Sequence, residues 1–172
     1  MNALVRLNLG SGNARVDGYR SVDLYAENAD DHIDLFAMPW PWEDNSVHSV
    51  CMFDFIEHVP DLDATVNEVY RILVAGGTWW VKVPHHRSFT SCMVGHRQFF
   101  SWWTFKMLGV QRSDLRAVFK TSSYRVRYTK AFRTPLDIIA SRWPRACEQF
   151  MPPPVEIEWK GLKANEKDER RA

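Results

Sequence analysis

The sequence predicts an α/β domain built on a doubly wound, mostly parallel sheet, and three observations predict it. Short apolar runs bounded by turn residues, at 4–9, 19–23 and 47–53, read as strands. Between 60 and 84 a helical pattern gives way to a further strand, the alternation that builds parallel sheets. The first strand runs into LNLGSG (Leu7–Gly12), where glycines turn the chain sharply and let a ligand approach the backbone.

In order along the chain, Val5, Leu7 and Leu9 alternate with polar residues in the first strand. Only ten residues separate Gly12 from Asp23, whereas a parallel crossover normally takes about a dozen or more and a helix. The first helix is therefore expected to be reduced, with NARVDG as a turn, and one face of the sheet thinly covered. Residues 32–35 are expected to form a short third strand. Pro39 and Pro41 then hold an extended segment carrying Trp40 and Trp42, which read as core filling, with packing against a cofactor base as the alternative. Val47–Phe53 is apolar and β-branched enough to be a central strand.

Pro60-Asp61 opens a helix to Val74, with Leu62, Val66, Val69, Tyr70 and Leu73 along one face. Gly76-Gly77 is expected to stop it, and Thr78–Val83 forms the next strand, closed by Pro84. Ser101 is the expected cap of a helix to Leu108. A strand around Tyr124–Phe132 follows, then a helix with Thr134 as cap and Pro135 as first residue, stopped by Pro144. Val155–Trp159 is the last strand. The expected organisation is one domain over 1–162, with 85–145 on the substrate side and a charged flexible tail at 163–172.

The chain of 172 residues suits one domain with a sizeable core. No apolar run approaches the roughly 20 residues that span a bilayer, and MNALVRLNLG lacks a signal peptide's apolar region and cleavage site. The three cysteines, Cys51, Cys92 and Cys147, make neither a disulfide framework nor a zinc spacing. A reducing cytoplasm, with no membrane partner, is the expected setting. Net charge is +1, but unevenly spread: residues 1–70 hold 3 Lys/Arg against 13 Asp/Glu, and residues 111–145 hold 9 against 2. The basic stretch suits an anionic partner, or simply balances the acidic half.

LNLGSG followed by an acidic residue at the tip of the second strand suits a nucleoside cofactor, because Asp23 can accept hydrogen bonds from ribose hydroxyls. Further on, DLFAMPWPWEDNSVHSV, FIEHVPD and VNEVYRILVAGGTWWVKVP complete an ordered set. With the glycine turn, this set resembles the small class I S-adenosylmethionine-dependent methyltransferases (methyltransferase type 11-like). The resemblance covers about residues 4–105. It implies a Rossmann-like, three-layer α/β/α fold and S-adenosyl-L-methionine as cofactor, with S-adenosyl-L-homocysteine as product. Asn8 departs from the acidic residue often found in the family's first motif, and no counterpart of the family's N-terminal capping helices is expected.

The resemblance implies the following roles. Gly10, Ser11 and Gly12 lie against the amino-acid part of the cofactor, with Asn8 assisting through water. Asp23 holds the ribose, with Leu24 beside the adenine. Asp34 and Leu35 read the adenine edge. Phe53 and Asp54 sit near the methionine portion. Catalytic candidates are His58, His85 and His86, because histidine titrates near neutral pH and the last two follow a strand's carboxyl end. No metal is expected. Asp54, Glu57 and His58 are the residues that would hold a divalent ion, as a similar run does in some quinone-pathway relatives. The expected acceptor is a small molecule, anionic or sugar-like, methylated on oxygen or nitrogen, and a homodimer is compatible with the thin sheet face.

Three alternatives stand beside this reading. The first is a methyltransferase-like binding protein without turnover. The second is a nucleic-acid methyltransferase, which the basic stretch permits. The third is a nicotinamide-dependent oxidoreductase, disfavoured because Arg15 occupies the place of a third glycine.

Overall fold

The computed structural model describes residues 5–110, 117–127, 135–145 and 154–164. Among the described residues, six strands form one sheet: β1 (Val5–Leu9), β2 (Arg20–Val22), β3 (Val47–Phe53), β4 (Leu73–Pro84), β5 (Phe119–Arg127) and β6 (Glu156–Lys163), in the order β2-β1-β3-β4-β6-β5. β2, β1, β3 and β4 run parallel to one another, and β6 is antiparallel to both β4 and β5. The helices are α1 (Leu62–Ile72), α2 (Trp102–Met107) and α3 (Pro135–Arg142).

Local chemistry accounts for most boundaries. Asp61 caps α1, its Oδ1 accepting from the Ala64 amide at 2.9 Å. Ser101 and Thr104 make a reciprocal capping box on α2. The expected stop at Gly76-Gly77 is displaced. α1 ends at Ile72, Leu73 is already extended, and the glycines lie within β4. There the register jumps from Val47↔Leu73 to Ser49↔Thr78, so the pair forms a bulge, with Gly76 at φ +75°.

The expected strand at 32–35 does not form. Its neighbourhood keeps one bridge, Val22↔Asp31, and otherwise turns. The acidic residues explain this, because their carboxylates bind locally. Asp30 accepts from the Ser21 amide and pairs with Arg15, Asp31 pairs with Arg20, and Asp34 accepts from the Phe36 amide at 2.9 Å. The β5 expectation is shifted toward the N-terminus, beginning at Phe119. Residues 128–132 and the expected cap Thr134 lie outside the described residues.

The register sorts side chains onto two faces. Val50, Met52, Trp79, Val81, Ile157 and Trp159 share the face packed by α1 and α2. Its centre is aromatic: Trp79 meets Trp159 and Phe119 at 5.6 and 5.2 Å between ring centroids, and Phe105 stacks on Trp159 at 5.1 Å. The opposite face carries Ser49, Cys51, Phe53, Trp80, Lys82, Glu158 and Lys160. The connections β1–β2 and β2–β3 contain no helix, so Trp80, Lys82 and Lys160 stay half-buried there. α3 packs against β5 at the far edge. Trp40 is buried and donates its indole N–H to the Leu35 carbonyl, so it belongs to the core.

Candidate cofactor and acceptor site

Parallel pairing of β1 with β2, Leu9 opposite Val22, sets the glycine turn beside the end of β2. The amides of Gly10 and Ser11 both donate to the Val22 carbonyl, at 2.9 and 3.1 Å. The Gly12 amide donates to Asp23 Oδ2 at 2.8 Å, while Asp23 Oδ1 accepts from the Tyr25 and Ala26 amides at 2.9 and 3.0 Å. Partial burial works to raise the Asp23 pKa, but the three amides outweigh it and hold the carboxyl below its ordinary value. An ionised carboxylate offers about four acceptor directions. Three are taken, which leaves about one, on Oδ2, for a ligand hydroxyl.

The two glycines differ. Gly10 has φ +67°, and a Cβ there would lie 2.0 Å from the Phe55 ring. Gly12 has φ +50°, and a Cβ there would meet nothing within 4 Å, so its surface is open to a ligand. Asn8 is 1% exposed. Its amide donates to the Ala14 carbonyl at 3.1 Å, and its carbonyl accepts from the Cys51 thiol at 3.4 Å. Asn8 thus braces the turn from beneath. Burial pushes the Cys51 thiol up to about 12. Arg15 pins the far side of the turn through Asp30 and the Asn28 carbonyl.

A cavity of about 160 Å³ lies beside this turn, lined by Gly10, Asp23, Leu24, Tyr25, Ile33, Asp34, Leu35, Phe36 and Phe55. It therefore gathers five of the sequence-named residues: Gly10, Asp23, Leu24, Asp34 and Leu35. Ser11 and Gly12 flank it in the turn. Phe53 faces elsewhere, its ring 4.8 Å from Trp80 and under the Lys82 ammonium. Asp54 is exposed at φ +50°, its amide bound to the Lys82 carbonyl. Phe55, which stacks on Phe36 at 6.0 Å, and Tyr25, 86% exposed, were not singled out from the sequence. Their only signal was an aromatic one or two residues beyond a strand-end acid.

The histidines fall into two pairs. His85 is wholly buried, with its Nδ1 accepting from the Arg87 amide at 3.1 Å. His86 is exposed beside it, ring centroids 4.4 Å apart. His58 lies in the 3₁₀ turn Ile56–His58, and its ring meets His96 edge-on at 4.6 Å. Burial first, then the neighbouring His58, lowers the His96 pKa below the ordinary imidazole value. Glu57, His58 and His96 can each bring one ligand atom within 4.8 Å of the other two. Asp54, named with Glu57 and His58 from the sequence, is not in this group.

The strand order and the mostly parallel pairing define a Rossmann-like α/β fold. Residues 18–81 match the family model described as a methyltransferase domain, in agreement with the resemblance carried by the sequence motifs. None of the curated proteins matches the chain. Among solved structures, the chain is similar to the protein in complex with the Haloferax volcanii Trm112 methyltransferase activator. That similarity has a TM-score of 0.60 and 16% identity, over 94% of this chain and 83% of that one. It is similar also to a SAM-dependent methyltransferase from Archaeoglobus fulgidus, with a TM-score of 0.60, 13% identity, and 94% and 87% covered. The 16S rRNA methyltransferase KamB matches with a TM-score of 0.55 and 11% identity, over 95% and 89%. No helix among the described residues is long and apolar enough to cross a membrane.

Proposed function

We propose that this protein binds S-adenosylmethionine and transfers its methyl group to a small, anionic acceptor. The observation that carries the reading is the glycine turn locked by Asp23, with about one carboxylate acceptor direction spare beside an apolar cavity. The cavity is smaller than the roughly 300–1,000 Å³ of ordinary ligand pockets. It suits the adenosine end alone, with the remainder of the cofactor crossing the open surface of Gly12. Leu24, Ile33, Leu35 and Phe36 supply apolar walls for a base, and Asp34 offers it a polar edge.

When bound, the cofactor supplies an activated methyl on a sulfonium, which leaves as a neutral thioether. The chain's own task is then to align a nucleophile, exclude water and remove one proton. His86, exposed at the carboxyl end of β4, is the residue we assign to that proton. His85 is better suited to holding the turn through the Arg87 amide. Residues 85–110 contain Arg87, Arg97 and Lys106 and no Asp or Glu, which favours an anionic acceptor.

A nucleic-acid acceptor is the second reading. It is favoured by Lys106 over Trp102 and Trp103 and by Arg145 over Trp103, cations paired with aromatic rings. Titration calorimetry with S-adenosylmethionine, S-adenosylhomocysteine, NAD and NADP tests the cofactor. Micromolar binding of the first two and none of the others is expected. Failure of both to bind overturns the reading. Methylation of bulk RNA, with no turnover on small anionic acceptors, would favour the second reading.

A further inference from the structure

We infer that Glu57, His58 and His96 form a binding site for a first-row divalent metal ion. Three features of these residues converge. One ligand atom from each lies within 4.8 Å of the other two. Ligands held at about 2.0–2.2 Å from an ion lie no more than about 4.4 Å apart. Small side-chain rotations therefore close the set.

The imidazoles are prepared for the task. His58 Nδ1 sits 3.2 Å from the Gly95 carbonyl, which can only accept, so Nδ1 carries the proton and Nε2 keeps the lone pair. His96 Nδ1 is buried and has no hydrogen-bond partner. The His58 ring is thus anchored to backbone through one nitrogen and can present the other, the arrangement that orients histidine ligands, while His96 offers its unpartnered Nδ1.

The backbone holds the two contributing segments together. The Arg97 and Gln98 amides both donate to the Glu57 carbonyl, at 2.8 and 3.0 Å, and Gln98 Nε2 donates to the Val59 carbonyl at 3.1 Å. Glu57 is 1% exposed, a rigid position for an oxygen donor. Two imidazoles with one carboxylate suit zinc, cobalt or manganese better than magnesium or calcium, and leave coordination positions open.

The site is two residues beyond Phe55, which walls the cofactor cavity. An oxygen acceptor, a hydroxyl or a carboxylate, would take an open position on the ion. That role rests on the methyl-transfer reading; binding of the ion does not.

The test uses the metal-stripped full chain in a Cys92→Ser background, because Cys92 is an exposed thiol nearby. Zn²⁺ and Co²⁺ are titrated by calorimetry, and the Co²⁺ visible spectrum is recorded. We expect one ion per chain with ligand-field bands from nitrogen and oxygen donors. We expect His96→Ala to weaken binding at least about tenfold, with the far-ultraviolet dichroism unchanged. No binding, no ligand-field bands, or equal affinity in His96→Ala would overturn the site. If His96→Ala does not fold, the Co²⁺ spectrum of the unsubstituted site decides alone. Ion binding without S-adenosylhomocysteine binding would support the site and overturn the methyl-transfer reading.

Discussion

Replacing Asp23 by Asn separates what this residue does for the fold from what it does for a ligand. The carboxylate accepts from three backbone amides, of Gly12, Tyr25 and Ala26. A neutral amide keeps one acceptor oxygen and turns the other position into a donor, which then faces either the Gly12 amide or the Tyr25 and Ala26 amides. Hydrogen bonds to a charged group contribute about 1.5–3 kcal/mol each, and neutral ones about 0.5–1.5. Asp23 is half-buried, so water re-solvates part of what is lost. The expected cost is about 1–3 kcal/mol, read as a lower urea midpoint at unchanged slope.

The pH dependence has a definite sign. The carboxyl titrates lower in the folded chain than its ordinary 3.8, so its contribution is present above that value. It disappears as pH falls through the depressed folded pKa. The gap between Asp23→Asn and the parent should therefore be full at pH 7 and narrow below pH about 4. Binding of S-adenosylhomocysteine should weaken as well, because both the ordered turn and the spare acceptor direction are lost. An unchanged urea midpoint together with unchanged affinity would refute the argument.

Other substitutions read different parts of the same frame. Gly10→Ala places a methyl against the Phe55 ring at a positive φ and should cost about 1–3 kcal/mol. Adding Phe55→Ala should recover the steric part in a thermal-unfolding double-mutant cycle. Gly12→Ala meets only the strain of its φ, so it should cost about 1 kcal/mol in stability. Calorimetry should nonetheless show a larger loss of cofactor affinity, because the methyl intrudes on the approach surface. Arg71→Met removes the partner of the largely buried Glu68 together with bonds to Asp44 and to the Trp40 and Trp42 carbonyls. Chemical denaturation should register a loss of about 3 kcal/mol.

The elements legible in the sequence were those with a local signal. β3 has the limits its β-branched run suggested, and α1 and α2 begin at the capping residues Asp61 and Ser101. The reduced first helix followed from chain length alone, since ten residues cannot hold a crossover helix. The strand at 32–35 misled because periodicity ignores what side chains bind. Asp30, Asp31 and Asp34 spend their acceptors on nearby amides and arginines, and the chain turns. Gly76-Gly77 has the composition of a helix stop but serves as a bulge, a distinction set by the register against β3.

At the candidate site, the glycine turn and its bond to Asp23 are legible because a tight turn and an acceptor for its amides need particular residue types. The position of Phe55 was not, since only the packed structure brings its ring over Gly10. Nor could spacing predict that His58 would meet His96, 38 residues away, because that contact depends on backbone bonds between two loops.

The shortened start of the fold leaves β2, a strand of three residues, at the border of the sheet. An uncovered border strand is a template on which other chains can aggregate. Here the acidic turn closes it. The Ser21 carbonyl accepts from the Asp30 and Asp31 amides, the Ser21 amide donates to Asp30, and the Asp23 amide donates to the Asp31 carbonyl. Arg15–Asp30 and Arg20–Asp31 add charge to the same border. At the opposite border, the Val126 amide of β5 donates to Ser141 of α3. The residues that prevent a strand at 32–35 thereby also guard the sheet against intermolecular growth, so neutralising Asp30 and Asp31 together should make the protein prone to self-association.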